Sequence, residues 1–338
     1  MAKLASAPAP SVSLLAVTAD EMLTACPVCG ATAARLIAEE GVLYNRIDER
    51  TAVSSHLCLH CSVIYSNPRL SRARLAEFYR EQQGGRWSTR DADDLAARVE
   101  SGKTTRRTAF LLPFLSPTAR VLEVGCGEAN FVVSLARRLP EATVTGLDPA
   151  LAEAARPLSN LSLVNAHIDD TFVPATLAPP YDCVAAFHVL EHQHAPREFL
   201  VQLGRLLAAD GTLYLEVPNT YRSFRLGKDV EAFFCVVHLC NYSRRALAFL
   251  LRTAGFEPLA WDDSNPKALR VISRRRRSPE LTAPALTSEE VALIVRYFAR
   301  WKLYSVMRRA TFPLSALAPL VSKLTWGRLR PRFARMGF

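Results

Sequence analysis

The stretch VLEVGCGEANFVVSLARRLPEATVTGLD, residues 121–148, constrains the fold more than any other part of the chain. An uninterrupted apolar run ends in a glycine-bearing turn, an apolar-periodic helix follows, and a second apolar run closes on an acid. Strands apolar on both faces belong inside a parallel sheet covered by helices, because one solvated face would demand alternation. Strand and helix go on alternating through LSLVNA, YDCVAAF, PREFLVQLGRLL and GTLYLEVP, which predicts an α/β domain over 119–275. In such a sheet the ligand belongs at the carboxyl ends of the strands.

Gly125 and Gly127 let the backbone come close to a ligand, and Cys126 between them reads as packing in the turn. Asp148, at the end of the next strand, can accept both ribose hydroxyls of a nucleoside cofactor. Dinucleotide and S-adenosylmethionine (SAM) sites share that acid, so it does not choose between them. Glu123 just ahead of the turn, and Asn130 where a dinucleotide fingerprint has Gly or Ala, tilt the choice to SAM. Asp169 with Asp170 follows the next strand, either facing the adenine amino group or forming a solvated loop. The expected cofactor set is Glu123, Gly125, Cys126, Gly127, Asp148 and Asp169, joined by His188 from the acceptor side.

Two cysteine pairs, Cys26 with Cys29 and Cys58 with Cys61, have the C-x2-C…C-x2-C form of a structural zinc ribbon. A two-residue gap turns both thiolates of a pair towards one tetrahedral ion at about 2.3 Å. VLYNRID and TAVSSHL between the pairs suit a hairpin. His56 and His60 are spare ligands or exposed loop residues. The pattern in RLSRARLAEFYREQ predicts a helix leaving the ribbon, residues 81–94 read as a polar loop, and a second helix spans about 95–114.

Together, CPVCG, CLHC, SNPR, VLEVGCGEANF, GLDP, YDCVAAFHVLEHQHAPREFL, LLAADGTLYLEVPN and LLRTAGF resemble the bacterial class I SAM-dependent methyltransferases with an N-terminal zinc-binding region. Such proteins occur in surface-polysaccharide and secondary-metabolite clusters. The resemblance implies SAM as methyl donor and a Rossmann-like, seven-stranded, mostly parallel sheet. The resemblance covers about residues 24–260. The patterns along the chain divide it into a flexible N-terminus (1–20), a zinc-ribbon-like region (21–68), a helical linker or lid (69–118), the SAM-binding domain (119–275) and a basic helical extension (276–338), which lies outside the resemblance.

The acceptor side centres on FHVLEHQHAP, which gathers His188, Glu191, His192 and His194 after a strand end. Methyl transfer from a sulfonium is an in-line displacement, helped by a general base when the acceptor is a hydroxyl. His192 is the first candidate base, then His188, with Glu191 beside them. The stretch also resembles the Glu-x-x-Glu-His metal site of some O-methyltransferases, with His188 in place of the first Glu and His238 as a further nitrogen. The plainer reading, in which Glu191 and His192 cap and orient the loop, ranks above it. Asn219, Tyr221, Arg222, Phe233, Phe234, His238, Asn241 and Tyr242 form an insert that either closes over the acceptor or packs. Arg69 and Tyr79 are candidates to reach the same pocket, and Cys183, Cys235 and Cys240 read as buried.

The formal charge of +10 is concentrated: residues 274–338 hold 14 Lys and Arg against 3 Asp and Glu. The helix expected from Ser288, as N-cap, and the apolar-basic stretch after it suit an anionic membrane face, a dimer face or packing on the domain. No apolar run is long enough to span a membrane and the N-terminus is a poor secretory signal, so the expectation is a cytoplasmic protein, peripheral to the inner membrane face. The partner expected is a small-molecule or glycan acceptor.

The function that fits is SAM-dependent methylation of a hydroxyl oxygen on a sugar or related small metabolite. A nucleic-acid-binding or RNA-modifying methyltransferase using the ribbon and the basic tail ranks behind it, since the ribbon lacks interleaved basic and aromatic residues. An NAD-dependent oxidoreductase on a similar sheet comes third.

Overall fold

The computed structural model describes residues 20–309 except 40, 44, 45, 52, 87–98, 100, 150, 152–157, 170, 222–229, 266 and 277–284, together with 332 and 336. Residues 1–19, expected to be flexible, residues 87–94, expected as loop, Asp170, Arg222 and nearly all of the chain after Arg309 lie outside the described residues.

The N-terminal region is antiparallel. β1 (Ala34–Ala38), the hairpin of β2 (Gly41–Leu43) and β3 (Arg46–Thr51), β4 (Ser55–Cys58) and β5 (Ile64–Ser66) follow in turn. The hairpin falls between the cysteine pairs, as their spacer suggests. Ser71, whose amide and hydroxyl are held by the Asp20 carboxylate at 2.7 and 2.8 Å, precedes α1 (Arg72–Arg86). Residues 81–86, expected as loop, therefore continue this helix; its two internal glycines cost about 1 kcal/mol each but do not end it. α2 (Gly102–Leu111) is capped by the Ser101 hydroxyl, which accepts from the Thr104 amide.

The main sheet is made of β6 (Arg120–Val124), β7 (Thr143–Leu147), β8 (Leu161–Val164), β9 (Tyr181–Phe187), β10 (Leu207–Pro218), β12 (Phe256–Asp262) and β13 (Ala268–Arg275). Its spatial order is β12-β13-β10-β9-β6-β7-β8, parallel from β10 to β8, with β13 antiparallel to both neighbours. This is the seven-stranded Rossmann-like architecture. The chain runs outward from β6 to β8 and then returns to β9, so the crevice opens where β6 and β9 end. Layers cover both faces. α2 and α3 (Asn130–Arg138) pack on one through Leu111, Phe131, Val132 and Leu135; α4 (Pro196–Leu206) and α6 (Arg244–Thr253) cover the other through Phe199, Leu203, Leu247 and Leu250.

Between β10 and α6 lie α5 (Val230–Phe233) and the two-residue β11 (Cys240–Asn241), which joins the edge of the N-terminal sheet, in the order β1-β4-β5-β11. The cysteine-bearing region is thus continuous with the insert of the α/β part. α7 (Ser288–Arg309) opens on a capping box that corrects the expected cap. Thr287, not Ser288, takes the role: its hydroxyl accepts from the Glu290 amide at 3.2 Å, while the Glu290 carboxylate accepts from the Thr287 amide at 2.8 Å. Leu293, Tyr297, Phe298 and Trp301 of this helix are buried against Leu57 and Ile64 of the ribbon and against Tyr221, Phe233 and Phe234. Burial of each large side chain stabilises by roughly 1.5–3 kcal/mol, so the two phenylalanines serve as packing under the helix. No helix among the described residues is long and apolar enough to cross a membrane.

Candidate active site

The glycine turn sits where β6 feeds α3. Gly125 has φ 72°, and a Cβ there would lie 2.5 Å from Cγ2 of Val189, so only glycine fits between the turn and the loop after β9. The Gly125 and Cys126 amides donate to the Leu147 carbonyl at 2.8 and 3.0 Å, and the Gly127 amide donates to Oδ2 of Asp148 at 2.8 Å. The turn and the acid at the end of β7 are therefore one unit. Cys126 is buried, with burial pushing its thiol well up, which fits packing. Asp169 spends Oδ1 on its own loop, accepting from the Thr171 amide and hydroxyl and the Phe172 amide at 2.7–2.8 Å.

Glu123 is buried beside this turn, and its Oε2 has no hydrogen-bond partner among the described residues. Burial raises its carboxyl to about 8; Arg107 and Lys103 oppose the rise and Asp148 and Glu216 add to it. At neutral pH this group is mostly protonated.

A charge cluster that the sequence did not reveal lies across the ends of β9 and β10. Glu216, fully buried on β10, is gripped by Arg107 of α2 at 2.6 and 3.1 Å and by the buried Arg270 on β13, which also holds Asp262 at 2.7 Å. Arg107 lies over the Phe187 ring at 4.2 Å, and Lys103 reaches within 3.8 Å of Glu216. Into this cluster β9 delivers His188, at φ 59°, with Nδ1 3.1 Å from Glu191 and Nε2 2.9 Å from Glu216. Burial disfavours its charge, but the two carboxylates outweigh burial and raise its pKa. Glu191 is likewise held down to about 2, against burial, by its bond to His188 and by the nearby charges of His188, His192 and His238. With both nitrogens engaged, His188 has no lone pair for an acceptor and reads as an orienting cation.

His192 is placed differently. Its Nδ1 donates to the Val237 carbonyl at 2.8 Å, which fixes the tautomer and leaves the Nε2 lone pair. Burial lowers its pKa, against the pull of Glu191 and Val237, so the ring is neutral near pH 7. Tyr79 packs edge-on against it at 5.9 Å and the His238 ring lies 5.0 Å away. The ligating atoms of Glu191, His192 and His238 all fall within 4.8 Å of one another. Tyr79 thus reaches the site as expected, whereas Arg69 is occupied elsewhere, paired with Glu21 and bonded to the His194 carbonyl. His194 donates from Nε2 to the Leu70 carbonyl at 2.9 Å and clips the same loop.

The four ribbon thiols converge. Cys26 and Cys61 lie 3.7 Å apart, Cys29 and Cys58 3.5 Å, and each knuckle aims an amide at a sulfur, Val28 at Cys26 and Cys61 at Cys58, both at 3.5 Å. Tetrahedral coordination at about 2.3 Å places sulfurs about 3.8 Å apart. The donor set and spacing therefore fit one tetrahedral ion, and the four are free cysteines rather than disulfides.

Glu216, Arg107, Arg270 and Lys103 escaped sequence reasoning. The usable signal was a lone acid in TLYLEVP and a lone base in ALRVIS, apolar strands where an isolated charge demands a partner.

Residues 95–260 match the family described as methyltransferase domain. Among curated relatives, the chain is 34% identical over 134 residues to trans-aconitate 2-methyltransferase of Methylobacterium nodulans, covering 39% of this chain and 45% of the relative. It is 30% identical over 187 residues to the enzyme of that name from Variovorax paradoxus, covering 54% and 64%. The chain thus spans between about half and two thirds of the length of these relatives. Among solved structures, 1,6-didemethyltoxoflavin-N1-methyltransferase of Burkholderia thailandensis superposes with a TM-score of 0.50 at 16% identity, covering 71% of this chain and all of that one.

Proposed function

We propose that this chain, which carries a methyltransferase domain over residues 95–260, transfers a methyl group from SAM to a hydroxyl oxygen of a small polar metabolite, a sugar or a related compound. The observation that carries the oxygen acceptor is His192, a neutral imidazole whose Nδ1 is spent on Val237 and whose Nε2 is left for a hydroxyl proton. SAM is assigned to the crevice of Gly125, Cys126, Gly127 and Asp148, with Asp169 on the adenine side and Glu123 and His188 towards the methionine end. SAM held there would supply the methyl group, and His192 would take the proton of the acceptor hydroxyl. Glu191 and His188 hold the loop that carries that imidazole. The relatives named for trans-aconitate support a small-molecule acceptor. We assign a structural zinc ion to Cys26, Cys29, Cys58 and Cys61.

A cation-assisted form of the same transfer is a second reading, favoured by the convergence of Glu191, His192 and His238. The experiment is transfer of a labelled methyl group from SAM to a panel of hydroxylated metabolites, with and without a chelator. Direct base catalysis predicts turnover that survives chelation as long as the ribbon keeps its ion.

A further inference from the structure

The segment carrying Val237 and His238 is held by the N-terminal region rather than by the seven-stranded sheet. Val236, Val237 and Leu239 are buried in one cluster with Val53, Leu70 and Phe78. The hydrogen bonds come from β5. The Ser66 amide donates to the Leu239 carbonyl at 3.0 Å, and the Ser66 hydroxyl donates to the His238 carbonyl at 3.2 Å. Tyr65 and Ile64 pair with Cys240 and Asn241 of β11. β5 in turn emerges from the second cysteine knuckle, where the Cys58 amide donates to the Val63 carbonyl at 2.9 Å. Each step from the thiol cluster to the carbonyl that orients His192 is therefore a hydrogen bond, a strand pair or a few residues of chain.

We infer that the four-cysteine region is the positioning scaffold of the His192 imidazole, acting through Ser66, and that an ion on the four thiols sets the competence of the acceptor side. A main-chain carbonyl fixes a tautomer only while it stays within hydrogen-bond range of the ring nitrogen, and such bonds weaken steeply with misalignment. The two hydrogen bonds from Ser66 on β5 hold the main chain directly after Val237, so β5 supplies rigidity there. This inference rests on the reading of His192 as proton acceptor.

The test uses the full chain labelled with nitrogen-15 in its histidines, with the His192 signals assigned by their loss in His192→Gln. The wild type should show a single tautomer protonated at Nδ1. Ser66→Ala should show mixed tautomers and a kcat lowered about tenfold, a fraction of what a general base contributes, with KM and SAM affinity within about twofold. Ser66→Thr, which keeps the hydroxyl, should restore both readouts. Stripping the ion from the wild type should give the same mixed tautomers, and returning zinc should reverse them. An unchanged His192 signal in both Ser66→Ala and the stripped protein would overturn the inference, as would a parallel fall of kcat and SAM affinity, the mark of general loss of structure. The nitrogen signals need no methyl acceptor, so this outcome is separable from a failure of the methyltransferase reading.

Discussion

The imidazole Nδ1 of His192 lies 2.8 Å from the carbonyl oxygen of Val237, 45 residues further along the chain. That contact leaves His192 an Nε2 lone pair beside the acceptor side, whereas His188 is bound at both nitrogens and His194 is turned away to the Leu70 carbonyl. Replacing His192 with Gln should lower kcat by roughly 10²- to 10⁴-fold, the range for loss of a general base, and leave SAM affinity within about twofold. Single-turnover methyl transfer beside calorimetric SAM binding checks the split.

The pH profile follows from the same residue. A base must be neutral to work, and burial holds the His192 pKa below its ordinary value of 6.5. Turnover should therefore rise with pH along an acid limb whose midpoint lies below about 6.5. A midpoint above 7 in the rate profile would assign the limb to the cationic His188 instead.

Glu123 makes cofactor binding depend on pH. Its carboxyl titrates near 8 in the free protein because it is buried, and a cationic ligand favours the ionised form. SAM affinity should increase between pH 6.5 and 8.5 by about sixfold for a pKa drop of about one unit on binding, with release of a proton seen by calorimetry in buffers of different ionisation heat. Glu123→Gln should flatten that dependence.

The sheet, the glycine turn, Asp148 and the paired cysteines were legible in the sequence because each follows from local pattern: apolar runs, a turn that needs glycine, a two-residue knuckle. The charge cluster was not, because Arg107, Glu216 and Arg270 sit on three elements that meet only in the folded sheet. His192 was legible as the first candidate base, but not the Val237 carbonyl that orients it, which lies in an insert read as either closing over the acceptor or packing. Phe233 and Phe234 turned out to support α7, whose apolar face was visible as a pattern but whose partner, the ribbon, was not.

Glu216 offers a stability test. Burial works against its ionisation, but His188 and Arg107 hold its pKa well below 4.5, so its contribution is present above that unfolded value and lost as pH falls towards the folded one. Glu216→Ala takes the carboxylate from Arg107 and leaves the buried Arg270 with Asp262 alone, and should cost about 3–5 kcal/mol at pH 7. The difference from wild type should shrink as the pH is taken below about 4. Urea unfolding at both pH values measures it.

Gly125→Ala places a methyl group 2.5 Å from Val189 at a residue with φ 72°. The strain should cost about 1–3 kcal/mol and displace the turn that Asp148 holds. Thermal unfolding with and without SAM should show a lower midpoint and loss of protection by the cofactor.

The most direct measurement is transfer of a labelled methyl group from SAM to hydroxylated small metabolites by the full chain, with S-adenosylhomocysteine counted in parallel. The prediction is one labelled oxygen-methyl product for each S-adenosylhomocysteine formed, abolished in Asp148→Ala and strongly reduced in His192→Gln. Stabilisation by NAD(H) but not by SAM, with no label transferred to any acceptor, would contradict it.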